Sequence, residues 1–510
     1  MKKVFEFLRG IMLIVCGVLA FVSCDDYLDE LPSKSTSLPI STIDQLDALI
    51  AKYEDFCTEP NLSAFCANDD FEVPLEMYNA QPMFFPGPNV ILRAYLWNYE
   101  DLASLGGDIF WGGDGYRNPG EYGKIFRANM VLGELDNVEG SKEDKARLKA
   151  EAHFIRAYSH WMLANVYCLP YTEANKNELG IPLKKSTSFE ESLVRATLED
   201  TYKVIESDLQ EALKCQTSLV QDGIPKHWRA NTAGINGFAA RYYLNKNDYE
   251  NALKYANDVL SEYSTLVDYN TEMGETDAMG IGVNFPTTYN YDGNVYTNRI
   301  EWKETLYMRY LYTLYATYGF FPSQDLLDLY DQEHDLRYKY HFVEGLLEAW
   351  YACDYSLPVY ISFSMNHILS GPSTAEMYLI KAECQARLGD YDLAMETLNV
   401  LREKRLMPGE WVKIKANNQS EAIRYILEER RREMPFAQRW FDIRRLNNNE
   451  DPNDDVSSIT RTFYPFSSTA IYDKEAPITY TLEKNSRKYA LPIRENEIEV
   501  SDGAIKQNTY

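Results

Sequence analysis

Apolar residues return at helical spacing through most of this chain, and the places where that spacing fails divide it. From Ser41 onward Ile43, Leu46, Leu49, Ile50 and Tyr53 share one face, with Ser41 or Thr42 as cap, and predict one helix. Between residues 61 and 121 the period is lost and turn residues crowd in: Phe85-Pro86-Gly87-Pro88, Gly106-Gly107 and Trp111-Gly112-Gly113-Asp114-Gly115. This stretch reads as loop-rich and aromatic. Helical spacing then resumes. Ala150, Phe154, Ala157, Trp161, Ala164 and Cys168 predict one long amphipathic helix, and Leu198, Tyr202, Ile205, Leu209 and Leu213 a second. Leu179-Gly180-Ile181-Pro182-Leu183 breaks the pattern between them, so the two should pack antiparallel.

Two later segments resemble each other. In Arg241 to Ala252 a short turn leads into Tyr249, with alanine three residues on, and Leu388-Gly389-Asp390-Tyr391-Asp392-Leu393-Ala394 repeats this. Small residues such as Ala239, Ala252, Ala382 and Ala394 permit close helix approach. These look like tetratricopeptide units, which recur about every 34 residues in tandem. Here Tyr249 and Tyr391 stand 142 residues apart, so a large insertion must separate the units. It covers about residues 265–372 and is irregular at first and dense in tyrosine, which argues against disorder. A final helical block, residues 420–446, carries Glu428-Glu429-Arg430-Arg431-Arg432-Glu433 and Arg439-Trp440-Phe441-Asp442-Ile443-Arg444-Arg445. Its interleaved acids predict paired charges on helix faces, not a basic patch. Beyond it lie turns and strand-like runs such as Ile478-Thr479-Tyr480-Thr481-Leu482.

The first residues have a different pattern. Lys2, Lys3 and Arg9 precede an apolar run from Ile11 to Val22, which is the order of a secretory signal and is short for a membrane span. Phe21-Val22-Ser23-Cys24 resembles a bacterial lipobox, in which the chain is cut before the cysteine and that cysteine carries acyl chains. Residues 1–23 are thus expected to be a signal peptide, Cys24 the lipidated first mature residue, and residues 24–40 an acidic tether. Acylation of that kind anchors a protein to the membrane and leaves its polypeptide in water.

The remaining chain has size enough for two lobes or one elongated helical array with insertions. A net charge of -26 makes nucleic acid a poor partner. After Cys16 and Cys24 are set aside, six cysteines remain, none in a CxxC. Cys168, Cys215 and Cys384 sit in helical patterns and read as small apolar residues, while pairing of Cys57 with Cys66 stays open. Catalytic signatures are missing. The six histidines form no HExxH, the glycine clusters form no phosphate loop, and nothing fixes two carboxylates across a scissile glycosidic bond. His153 and His160, on one helix, read as structural. No cofactor is implied. A structural calcium on Tyr289-Asn290-Tyr291-Asp292-Gly293-Asn294 is the alternative, although that turn lacks the distal glutamate of an EF-hand, and Pro452-Asn453-Asp454-Asp455 is a weaker case.

Several stretches together resemble the SusD/RagB family of outer-membrane nutrient-binding lipoproteins. They are the lipobox with its Asp-Tyr-Leu-Asp continuation, Ala150 to Tyr158, Phe321-Pro322-Ser323 with Tyr330-Asp331 and Asp335-Leu336-Arg337, and Ala375-Glu376 with Lys381-Ala382-Glu383. Glu428-Glu429-Arg430, Arg439-Trp440-Phe441-Asp442, Leu491-Pro492-Ile493 and Gln507-Asn508-Thr509-Tyr510 complete the series. Cys168-Leu169 and Pro435-Phe436-Ala437-Gln438 depart from the family's usual turns and put local turn geometry in question. The resemblance implies a mainly α, tetratricopeptide-like scaffold with long loop-rich insertions and a few short strands. It further implies a lipid-tethered protein at the outer membrane, facing outward, that binds oligosaccharide or, in some relatives, peptide, without catalysis. The implied partner is a SusC-like TonB-dependent barrel.

Family motifs do not mark ligand residues, so the candidate site rests on composition. Pyranose C–H faces stack on aromatic rings while their hydroxyls need amides and carboxylates nearby. Loops carrying Trp97, Asn98, Trp111, Asp114 and Tyr116, then Tyr291, Asp292 and Trp302, meet both needs. Burial of these aromatics against the helices is the competing expectation.

Overall fold

The structure, a computed structural model, describes residues 40–59, 62–80, 90–105, 120–277, 280–288, 300–312, 320–351, 353, 355–362 and 367–510. Among these residues ten helices have eight or more residues. They are α1 Ile43–Ala51, α2 Glu121–Glu134, α3 Lys142–Tyr167, α4 Leu198–Ala212, α5 Thr232–Asn245, α6 Tyr249–Glu262, α7 Thr374–Arg387, α8 Tyr391–Glu403, α9 Gln419–Glu433 and α10 Arg439–Leu446. Eight of them begin where a short polar side chain takes an orphan backbone N–H. Thr42 and Gln45 form a reciprocal box on α1. Ser141, Thr197, Asn231, Asp248, Ser373, Asp390 and Asn418 cap α3 to α9 in turn.

Helix α3 occupies the middle of the body. Its pattern predicts one apolar face, yet from Leu148 onward almost every residue is buried, because α2 and α4 pack against different flanks. The two similar segments are the helix pairs α5–α6 and α7–α8. In each, the residue before the capping aspartate has a positive φ, 58° at Asn247 and 102° at Gly389. Asparagine and glycine accept that conformation at least cost. Helix α6 packs on α7, so the two units are neighbours in space and residues 265–372 leave and return between them.

Two regions are more ordered than their patterns suggest. Residues 62–105 contain four short helices, Leu62–Ala67, Leu75–Ala80, Val90–Tyr95 and Tyr99–Leu105. Helices of six or seven residues show too few turns to display a period, and Val90–Tyr95 is buried all round. The insertion pairs Met273–Thr276 with Phe285–Thr288, and its strand Tyr310–Tyr312 lies between Thr58–Glu59 and His367–Leu369. Near the C-terminus Ser458–Phe463 pairs antiparallel with Ile478–Glu483, turning Ile459, Arg461 and Phe463 inward. Cys57 and Cys66 belong to different hydrophobic clusters. No helix among the described residues is long and apolar enough to cross a membrane.

The charges of the arginine-rich block are paired, as its interleaved acids predict, and the pairs reach further than one helix face. Arg424–Glu428 stays on one helix, but most of the others are buried and join different elements. Arg241 on α5 grips Glu376 on α7 with two bonds of 2.9 and 2.6 Å. Arg430 on α9 reaches Glu376 and Asp442. Arg445 on α10 bonds Asp442 and Glu383, and Arg387 continues from Glu383 to Asp454. A second cluster sets Arg337 among Asp335, Glu429 and Glu433, with Arg405 between Glu433 and Glu304. Arg309 ties the insertion to Glu59 and Glu121. The planar five-donor guanidinium can serve two or three carboxylates at once, which a helix-surface lysine pair cannot do.

Breaking such a pair leaves an uncompensated buried charge. Glu376→Leu should cost about 3–5 kcal/mol in denaturant unfolding, because Arg241 and Arg430 both face it; a loss within the range of ordinary surface substitutions would contradict this role.

The pH dependence has two windows. Burial lowers His160, His227 and His341 from 6.5 to about 4, so they resist protonation in the fold while the unfolded chain binds protons. Their contribution is present above pH 6.5 and lost as pH falls toward 4. Burial alone would raise Glu383, but Arg445, Arg387 and Arg430 outweigh it and hold the carboxyl at about 2. Its contribution is lost between pH 4.5 and 2. Thermal melts from pH 8 to 3 should show a midpoint falling from about pH 6.5 and steepening below 4.5; a level midpoint would refute it.

Candidate functional site

The segment after helix Leu62–Ala67 organises a polar cleft. Asn68 accepts a hydrogen bond from Asp70 N at 3.0 Å and donates its side-chain amide to Phe436 O, also at 3.0 Å. Asp69 receives both donors of Arg439 at 2.6 and 2.7 Å, and Asp70 receives Arg431 at 2.5 Å and Phe436 N at 2.9 Å. Burial raises Asp69, yet Arg439 and Arg431 prevail and keep it far below the usual carboxylate range. Phe436 is thereby held at φ 67°, a left-handed conformation costly for a bulky residue, with its ring against Phe65, Phe320 and Tyr360. This is how Pro435-Phe436-Ala437-Gln438 makes its unusual turn.

Phe321-Pro322-Ser323 runs alongside this segment. Ser323 N donates to Asp70 O and Glu72 N to Phe321 O, at 2.7 and 2.9 Å, and Ser323 Oγ donates to Asp69 O while capping Gln324–Leu327. On the other wall stands Ser458–Phe463. Its inward Arg461 lies between the rings of Tyr95 and Trp97, 3.9 and 4.5 Å from their centres, and donates to the carbonyls of Cys66, Tyr95 and Asn68. Burial lowers the Arg461 guanidinium from its ordinary value, Tyr95 and Glu72 opposing.

Between these walls is a cleft of about 330 Å³, lined by Glu72, Gln324, Asp325, Ser458, Thr460 and Thr462 among others. Tyr95 Oη donates to Glu72 Oε1 at 2.5 Å. Gln324, Asp325, Ser458, Thr460 and Thr462 are exposed. Hydroxyls, an amide and carboxylates suit a neutral polyhydroxyl ligand. The volume is of the order that ligand pockets have.

The composition-based residues divide. Trp97 is corrected from ligand contact to core: 1% exposed, at φ 53°, it donates its indole N–H to Ala67 O at 3.0 Å. It forms the cleft's buried support beneath Arg461. Asn98 is half-buried, its amide donating to Asp101 at 3.0 Å. Trp302 is likewise in the core, edge-on to Tyr269 and beside a space of about 60 Å³ that also meets His341 and Glu433, too small for a ligand. Trp111, Asp114, Tyr116, Tyr291, Asp292 and Cys24 lie outside the described residues, as does the oxygen-rich turn 289–294. Asp454 is taken by Arg387 and Asn449, and Asp455 by Lys484. The cleft residues escaped composition because single serines, threonines and a glutamine stand far apart in the chain; only Phe321-Pro322-Ser323 marked its neighbourhood.

The profile of a family described as "Starch-binding associating with outer membrane" matches residues 90–244, and that of the SusD family matches residues 374–510. Similar solved structures include a SusD superfamily protein from Bacteroides thetaiotaomicron, with 19% identity, TM-score 0.66, and 92% of this chain and 100% of that one covered. The surface glycan-binding protein A of Bacteroides uniformis shares 15% identity with TM-score 0.62, covering 92% and 99%. A laminarin-binding SusD-like protein shares 15% with TM-score 0.54 over the same fractions. No curated protein matches the sequence.

Trp97→Ala should act on stability, removing a filled core position at a cost of about 3–5 kcal/mol in urea unfolding. An unchanged midpoint with a purely weakened ligand would return Trp97 to the binding surface.

Proposed function

Because this chain belongs to the SusD/RagB family, we propose that it is a cell-surface lipoprotein that binds oligosaccharide and delivers it to a SusC-like TonB-dependent outer-membrane barrel. The observation that carries the reading is the cleft at Asp69 to Glu72, polar, acidic and open, on a body whose relatives in fold include glycan binders. Its exposed hydroxyls and Gln324 address sugar hydroxyls. Trp111, Tyr116 and Tyr291, with Asp114 and Asp292, are proposed as further stacking and polar contacts to the ligand. Binding occurs without turnover: Asp69 is clamped by Arg439 and Glu72 is bonded to Tyr95, so neither is poised to move a proton. Cys24 carries the lipid, and residues 24–40 are the tether to the membrane.

Calorimetry on the protein lacking residues 1–23 should find a glycan bound, with Gln324→Ala plus Asp325→Ala weakening it tenfold or more and no reducing ends released. Unchanged affinity in that variant removes the cleft from the reading. A blank glycan panel with hits from a peptide library would instead favour a peptide-binding adaptor of the importer. Cys24→Ser should release the protein from the membrane and leave its affinity in solution intact.

A further inference from the structure

The polar cleft does not end at Asp69. That residue lines the cleft, and the two guanidinium groups that hold it, Arg439 and Arg431, line a second space, an open trough of about 380 Å³. The flanking walls continue as well. Gln324 and Asp325 line the cleft and Leu329 the trough, while Ser458 to Thr462 line the cleft and Val456 the trough. One ion pair, Asp69 with Arg439, thus stands as a sill between the two. Beyond it the trough follows α9, whose Ser420, Arg424, Leu427, Glu428 and Arg431 share a face and span about 16 Å.

The polar groups of the trough are only partly engaged. Arg439 bonds Asp69 through Nε and Nη2, and Arg431 bonds Asp70 through Nε and Asp69 O through Nη2, so each has an Nη1 with no partner among the described residues. Acceptors are left over too. Glu428 Oε1 receives Arg424 at 2.8 Å while its Oε2 is unpaired, and Asn453 donates its N–H and its amide to Asp451 while its own Oδ1 is unpaired. The Ser420 hydroxyl, exposed, has no partner among the described residues either. Ile423, Leu427, Leu446 and Val456 supply an aliphatic lining between these groups.

Spare donors beside spare acceptors, over aliphatic surface, suit a ligand whose every polar group both donates and accepts, which is the chemistry of a sugar hydroxyl. Charge points the same way. Arg424 is answered by Glu428, Arg431 by Asp70 and Arg439 by Asp69, and Asp451 adds a further carboxylate, so no unbalanced positive charge is on offer to an anion. We propose that cleft and trough are one binding channel, crossed by a linear neutral oligosaccharide with residues on both sides of the Asp69–Arg439 sill. The inference rests on the functional reading above, from which the ligand is taken to be a glycan.

The test is calorimetry on the protein lacking residues 1–23, with ladders of malto-, laminari-, cello-, xylo- and galacto-oligosaccharides from disaccharide to heptasaccharide, and oligogalacturonides as anionic counterparts. Affinity for the neutral ladder that binds should rise tenfold or more from its short to its long members. Glu428→Ala with Asn453→Ala should remove that rise and leave the short members at parent affinity, whereas Gln324→Ala with Asp325→Ala should weaken short and long members alike. Both trough positions reach the surface, and an unaltered thermal midpoint verifies each fold. Affinity independent of length, or a rise that survives the Glu428→Ala and Asn453→Ala pair, overturns the channel and leaves the cleft reading standing. A rise confined to oligogalacturonides overturns the neutral ligand. No binding in any ladder fails the glycan reading and this inference with it.

Discussion

The buried arginine–carboxylate ribbon is the constraint on which the rest of the body depends. It begins at Arg241 on α5, passes through Glu376, Arg430, Asp442, Arg445 and Glu383, and ends at Arg387 and Asp454. Each charge has left water at a cost of several kcal/mol, offset only when all its partners are in place. The ribbon is therefore an all-or-none statement about how α5, α7, α9 and α10 meet. Apolar packing alone would let these helices slide; the forked guanidinium geometry does not.

The same ionic logic extends to the polar cleft. Arg431 and Arg439, at the end of α9 and the start of α10, hold Asp69 and Asp70, and those residues carry Ser323 and Glu72 to the cleft wall. The left-handed Phe436 is the joint between them, over-determined by Asn68, Asp70 and three aromatic rings. A strained residue kept this firmly positions its neighbours without adaptation, so the cleft is pre-formed and binding need not order it.

The cleft contrasts in chemistry with an apolar groove of about 340 Å³ lined by Phe126, Phe189, Leu193 and Val500. One offers hydroxyls, an amide and acids around a polar space, and the other offers stacked phenyl rings and aliphatic side chains. Helix α2 and the C-terminal segment hold the groove, while the 62–72 segment and the Ser458–Phe463 strand hold the cleft.

Local signals determined much of the architecture from sequence. The α3, α4 and α5–α8 helices follow from 3.6-residue spacing and capping residues, and the likeness of the turns before Tyr249 and Tyr391 follows from chain chemistry, Asn247 and Gly389 being residues that tolerate positive φ. The expectation of a lipobox at Phe21-Val22-Ser23-Cys24 likewise rests on the linear sequence and on no fold. Tertiary structure alone decided that α6 meets α7 across the insertion, that the arginines of α9 and α10 turn inward, and that Trp97 and Trp302 are core residues. A ring's exposure depends on which segments cover it, and an arginine's partner on which carboxylate another helix brings near. Glu72, Gln324 and Thr460 line one cleft only because Asp69 and Asp70 are pinned from a distance of more than 350 residues along the chain; periodicity and composition, which look along the chain, cannot register such a meeting.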